Sequence, residues 1–301
     1  MSSDFIAVTN PFSGAKFKIE RAYYHIESLA TQTYEYGLEA KVEFGTLSAG
    51  RDRQVNFVPP PPADIGCIVG DAAHNLRSSL DIMVCDVARM KGRSTKNVRF
   101  PFGTDKVHFD GRLRDTGFSK IDSVMTEIVQ SLEPFPSGNK SLRDLHDLDI
   151  QDKHELLVPV FFKSAALMQP GAYVAAGYAQ TLNQLIEQHG IPRAKSIGKC
   201  VPVLYGDTHG TTIEIDGVVN YSPILGDMPR EVTIKHGEFV FFGDDTDPLN
   251  FMRPLPGIMP LVFPDADFPF AGKPVLETLE NVAKTVSEIL ELFIVKFAAG
   301  N

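Results

Sequence analysis

Between residues 64 and 90 the chain carries one long helical pattern. Taken at about 100° per residue, its apolar residues Ile65, Val69, Ala72, Leu76, Leu80, Met83, Val87 and Met90 fall within one narrow band. A seam that continuous can be hidden only against other helices, so it constrains the fold more than any other stretch. Immediately before it, Pro59–Pro62 stops any regular element and delivers the chain into the helix.

The segment GDAAHNLRSSLDIMVCDVARMKG, residues 70–92, also carries a second, polar stripe. His74, Asp81 and Cys85 lie almost opposite the seam, Ser78 lies beside them, and Arg77 and Asp71 occupy the shoulders. A solvated helix face would account for such a stripe. Its composition points elsewhere: no Lys or Glu stands between Gly70 and Arg89, and Ala72, Ala73, Ser78, Ser79 and Cys85 are small. The stripe is therefore expected to be covered by a further element, and its buried polar groups then require partners.

A second polar run, LHDLDIQDKHELL at 145–157, supplies candidates in His146, Asp147, Asp149, Asp152, Lys153 and His154. Arg77 pairing with Asp149 or Asp152, and His154 with Asp81, would satisfy both runs. The candidate site joins the 71–81 stripe to residues 149–154, with His74, Arg77, Asp81, Asp152 and His154 as its functional groups.

The remaining pattern is mixed. Helical spacing recurs over 16–40, over 121–132 and over 275–298, the last through Leu276, Leu279, Ala283, Val286, Leu290, Phe293 and Phe297. Ser141 with Asp144 resembles a capping box opening a helix that leads into a buried strand at ELLVPVFF. VRFPFG at 98–103 reads as extended. A helix is expected over 178–190. Strand-like KCVPVLYG, TTIEIDG and REVTIKHGEFVFFGDD follow, with IKHGEF as a hairpin tip.

The fold class is thus α+β. A bundle of the N-terminal, 64–90 and C-terminal helices is joined to a β-rich portion in the second half. Residues 1–154 form the mainly helical part, 155–270 the β-rich part and 271–301 a helix packing back. With no linker apart from the prolines, a single unit fits equally.

With 301 residues, 43% hydrophobic and 22% charged, the chain has the makeup of a globular protein. A net charge of −9 and a pI near 5.4 repel a nucleic-acid backbone unless basic residues gather locally. Cys67, Cys85 and Cys200 are scattered without C-x-x-C spacing, which excludes a disulfide framework and a zinc knuckle. MSSDFIAVTNPF has neither the basic nor the apolar region of a leader, and no apolar run spans a bilayer, so a cytoplasmic protein without a membrane partner is expected.

The runs GDAAHNLRSSLD and LDIQDKHELL resemble a widespread family of uncharacterised bacterial and phage-associated proteins with a GDxxHNLRSxLD helix and a later DKH segment. KIERAYYHIESL is similar to that family's opening, so the likeness covers roughly residues 16–160. More distantly, Arg77-Ser78 resembles the first half of the motif of HEPN domains, helical bundles that include many ribonucleases. The motif's histidine does not follow, because Ile82 stands five residues after Arg77. The ribonuclease chemistry that the likeness implies therefore needs His74 or His154 to substitute for it in space.

The leading expectation is a HEPN-like nucleic-acid-processing or defence-associated protein. Arg77 would contact phosphate and His74 or His154 would act as general acid/base, a ribonuclease-like hydrolase. A second is a non-catalytic small-ligand-binding or scaffold protein in which the same residues form a buried network. A third is a metal-dependent hydrolase, with Asp71, His74, Asp152 and His154 as a mixed oxygen and nitrogen ligand set. No H-x-H or H-E-x-x-H spacing occurs, so no metal is assigned, and no cofactor is identified. Partners left open are RNA, a small molecule and a homodimer formed through the helices.

Overall fold

A computed structural model describes residues 10–46, 52–154, 157–168, 200–203, 212–213, 219–220, 230–235, 239–242, 252–254, 259–265 and 267–297. Helix α1 spans Ser13–Glu39 and is followed by strands β1 (Lys41–Thr46) and β2 (Asp52–Val58). Helices α2 (Ile65–Met90), α3 (Lys106–Asp115), α4 (Phe118–Ile121), α5 (Ser123–Ser131) and α6 (Lys140–His154) come next. Short strands β3 (Phe161–Met168), β4 (Cys200–Val203), β5 (Thr212–Ile213), β6 (Val219–Asn220), β7 (Arg230–Lys235), β8 (Phe239–Phe242), β9 (Met252–Pro254) and β10 (Leu261–Val262) precede the closing helix α7 (Val275–Phe297). The expected α+β class, with its three long helices, is what the chain adopts. The helix expected over 178–190 lies outside the described residues.

The chain divides into two compact units. One comprises Met1–Gln32, Ala63–Val160 and Val262–Asn301, the other Thr33–Pro62 and Phe161–Leu261. The helical unit is built on α2. Its seam residues Val69, Leu76, Leu80, Met83 and Val87 are fully buried, and α2 packs on both α6 and α7. From α7, Leu279, Ala283, Val286 and Phe293 are equally buried, and Phe12, just ahead of α1, meets Phe293 edge-on at 6.1 Å. The Phe12 amide donates to Asp86 at 2.8 Å, fastening the start of α1 to α2.

Local signals set the helix ends. Gly92, at φ 64°, closes α2: its amide reaches the Arg89 carbonyl and the Arg93 amide reaches that of Ala88, the paired bonds of a left-handed glycine stop. Asp105 and Asp122 cap α3 and α5 by accepting from the amides of His108 and Met125. For α6 the cap is Asn139, whose side chain accepts from the Leu142 amide at 3.1 Å, and not Ser141. Asp144, free of capping, accepts instead from Lys140 and from the Phe270 amide. The pattern read over 121–132 is also shorter than expected, because Asp122 is extended and separates α4 from α5. Helix α3 escapes pattern reading because only Phe109 and Leu113 of it are buried.

In the second unit, β2 lies between β1 and β8, antiparallel to both, and β8 runs parallel to β4. Strand β3 pairs antiparallel with β7 and β9. The IKHGEF segment therefore joins strands of different sheets, and the partners of β7 and β8 come from far along the chain. Within this unit Tyr36 packs on Phe162 at 4.5 Å and donates its hydroxyl to the Pro59 carbonyl at 3.0 Å. Burial pushes that phenol up to about 12.

Candidate functional site

Helix α6 lies against the Gly70, His74 and Arg77 part of the polar face of α2 and the 98–100 segment against Asp81 and Cys85, the second surface that the lack of Lys and Glu implies. The two helices run antiparallel, and residues 146, 149 and 152 of α6 meet residues 77, 74 and 70 of α2 in rungs. Steps of three and four residues keep each set on one helix face.

The first rung has no side chain on α2. A Cβ placed on Gly70 would collide with Asp152 Oδ1 and stand 2.5 Å from its Cγ, so only glycine lets that carboxylate come so close. Burial, then the charges of Asp71 and Asp149, raise the Asp152 carboxyl above the usual carboxylate range, while His74 and Lys153 oppose them.

At the second rung, His74 Nδ1 lies 2.8 Å from Asp149 Oδ1. The Asp149 side chain is only 5% exposed while His74 retains 40%. The other Asp149 oxygen accepts from Lys153 Nζ at 2.5 Å, so the carboxylate is held from both sides. With Asp149 accepting at Nδ1, the neutral imidazole carries its proton there, and the Nε2 lone pair faces Ser78 Oγ at 3.3 Å.

The third rung is sealed. Arg77 is 7% exposed, its Nε donates to His146 Nδ1 at 3.2 Å, and its Nη1 lies 2.8 Å from Asp81 Oδ1 without hydrogen-bond alignment. Asp81 in turn accepts from the Phe100 amide at 2.7 Å. Phe102 completes the cluster: Arg77 stands over its ring at 4.7 Å, and His146 stacks on it at 4.3 Å with the ring planes nearly parallel. As an acceptor from a guanidinium, His146 is neutral. Burial first, then the charges of Arg77 and Arg143, push its pKa down to about 3. Arg143 is itself anchored, to the Gly103 carbonyl at 3.1 Å and to Asp147 at 2.8 Å.

The predicted pairings thus partly exchange. Arg77 meets Asp81 and His146 in place of Asp149 or Asp152, and Asp149 belongs to His74. His154 ends α6, but its side chain lies outside the described residues, so its expected pairing with Asp81 does too. His74, Arg77, Asp81 and Asp152 all fall along the α2–α6 face, and the imidazole beside Arg77 is that of His146, not His74. His146 was visible in the sequence as one of several charges. Only its spacing to Asp149 and Asp152, set against Arg77, His74 and Gly70, singles it out.

Asn75 ties the face to α1, accepting from Lys18 Nζ at 3.1 Å and donating to the Asp71 carbonyl at 2.7 Å. Cys85 is a packing residue whose thiol donates to the Val98 carbonyl at 3.3 Å and is pushed up by burial. Among the described residues, no group of three or more His, Cys, Asp and Glu side chains is placed to hold a metal ion. No described helix is long and apolar enough to cross a membrane. Comparison of the chain with known proteins returns no matching family model, no matching curated protein and no matching solved structure.

Proposed function

We propose that the protein is a hydrolase of HEPN-like, nucleic-acid-processing or defence-associated kind, with His74 as its general acid/base. The observation that carries this is the His74 and Asp149 pair. An imidazole that remains 40% exposed is oriented through Nδ1 by a carboxylate that is almost wholly buried, which leaves Nε2 for a proton in transit. Of the two histidines on this face with described side chains, His146 is committed as an acceptor to Arg77 and stays neutral far below neutral pH, so the acid/base role falls to His74. Arg77 is enclosed by Asp81, His146 and Phe102, so here it holds α6 in place and positions Asp149 without touching substrate. The substrate class rests on the Arg-Ser likeness and the helical bundle. A cytosolic setting, where Cys67 and Cys85 remain thiols, fits the same view.

A cleavage assay with single-stranded RNA tests it. The full-length protein is expected to cut, and His74→Gln, which keeps a donor toward Asp149, to lose about a hundredfold or more in rate. Wild-type protein without activity, or a His74→Gln variant with full activity, would sink the proposal. A second reading, a non-catalytic scaffold or small-ligand protein, is favoured by the sealed Arg77 cluster. It is distinguished by ordinary stability losses on disrupting the cluster with no cleavage by the wild type.

A further inference from the structure

We infer that Ser78 is a nucleophile served by His74 and Asp149, a Ser–His–Asp relay on the α2–α6 face acting on carboxylic esters. It rests on the acid/base role given to His74 but not on a nucleic-acid substrate.

Two separate observations carry it. The first is the chain of contacts: Asp149 fixes the His74 proton on Nδ1, and Nε2 lies 3.3 Å from Ser78 Oγ, a separation within the looser range of relays without substrate. Asp149 cannot easily turn away, because Lys153 holds its second oxygen. The second is how other helix hydroxyls in the molecule are used. Thr31, Ser79, Thr285 and Ser287 each donate to a carbonyl three or four residues earlier, the usual fate of a hydroxyl inside a helix. The Ser78 hydroxyl is directed to an imidazole instead, and it is only half-buried. Four residues separate His74 from Ser78, so α2 itself keeps the two on one face.

In the reaction, His74 Nε2 takes the Ser78 proton as Oγ bonds to the ester carbonyl carbon, and the carbonyl oxygen becomes an oxyanion. Collapse re-forms the carbonyl and breaks the bond to the leaving alkoxide, which departs as an alcohol with the proton from His74. Water then repeats the sequence, giving up a proton to His74 and releasing the carboxylic acid and the Ser78 hydroxyl. Because Ser78 lies within α2, the nearby amides are spent in the helix and form no backbone oxyanion hole. Turnover is accordingly expected to be slow, and the covalent step is the one to measure.

The full-length protein is treated with a fluorophosphonate probe, followed by intact mass measurement and peptide mapping, and p-nitrophenyl acetate hydrolysis is read in parallel. The expected result is one adduct on Ser78, absent from Ser78→Ala, formed about a hundredfold more slowly in His74→Gln, and unchanged in Ser131→Ala. No adduct, an adduct on another residue, or His74→Gln labelling at the wild-type rate overturns the relay. Ser78→Ala and wild type are also compared for RNA cleavage. Labelling without RNA cleavage defeats the nucleic-acid substrate alone, and RNA cleavage without labelling defeats the relay alone.

Discussion

Two neighbouring rungs of the α2–α6 face, each holding a histidine, are put to opposite uses. At the His74 end the imidazole is open to solvent on one side, gripped by a buried carboxylate on the other, and next to a hydroxyl. At the Arg77 end the imidazole is enclosed between an arginine and an aromatic ring and is held neutral. Solvent access at the imidazole and the sign of its partner make the difference. An aspartate at Nδ1 fixes the ring orientation of His74, whereas a histidine facing a guanidinium, as His146 does, cannot accept a proton without placing two positive charges together. The first end is suited to chemistry. The second fixes how α6 lies on α2, and so fixes where Asp149 stands.

Arg77→Ala tests the sealed end hardest. It strips His146 and Asp81 of a buried partner, and a loss of about 3 kcal/mol in unfolding free energy is expected, read by urea titration. A loss under about 1 kcal/mol would show that the cluster is not closed. A double variant, Arg77→Met with His146→Leu, should recover part of the loss, since it removes the orphaned imidazole while Asp81 keeps the Phe100 amide as a donor.

The next largest effect is a dependence on pH. The folded pKa of His146, about 3, lies below its ordinary value of 6.5, so between those values the unfolded chain binds more protons than the folded one. Stability is therefore greatest above the ordinary value and falls as the pH drops through this window. The slope approaches about 1.4 kcal/mol per pH unit at most, less in so far as solvent reaches the ring. His146→Gln keeps an acceptor for Arg77 and should flatten the profile. An unchanged acid limb in that variant would place the titrating group elsewhere.

Gly70→Ala probes the remaining rung, one turn before His74. Its new methyl group collides with Asp152, which must swing away or carry α6 with it, at a cost of about 1–2 kcal/mol. Asp152→Asn, which removes a carboxylate lying close to Asp71 and Asp149, should by contrast be neutral or slightly stabilising near neutral pH. If Gly70→Ala melts like the wild type, the contact between the two motifs does not shape the helix pair. The smallest change is expected at the open end, where His74→Gln should shift unfolding by less than about 0.5 kcal/mol while removing activity. A large destabilisation there would mean that both ends of the face are structural, and the contrast between them would fail.

Much of this architecture is legible in the sequence. The α2 seam, the bundle of α1, α2 and α7, and the need for a cover over the polar stripe follow from periodicity and composition. A period of 3.6 residues and the absence of Lys and Glu are properties of the chain alone. Helix ends were less legible. Asn139, not Ser141, caps α6, because several polar residues near a helix start compete for the same amides and the backbone path decides among them. IKHGEF has the pattern of a hairpin tip although β7 and β8 belong to different sheets, since alternation in sequence marks a strand without naming its neighbour.

The sequence by itself determined that His74, Ser78, Arg77 and Asp81 share the non-seam side of α2, because side-chain direction along a helix is fixed by its pitch. It also determined that a charged run near residue 150 had to find partners. Only the tertiary structure decided which groups meet. The antiparallel register of α6 on α2 set Asp149 against His74, His146 against Arg77 and Asp152 against Gly70. A shift of one helical turn would exchange every one of those partners. That register depends on packing across the whole helix pair, and on Gly70 leaving room for a carboxylate, which no local pattern encodes.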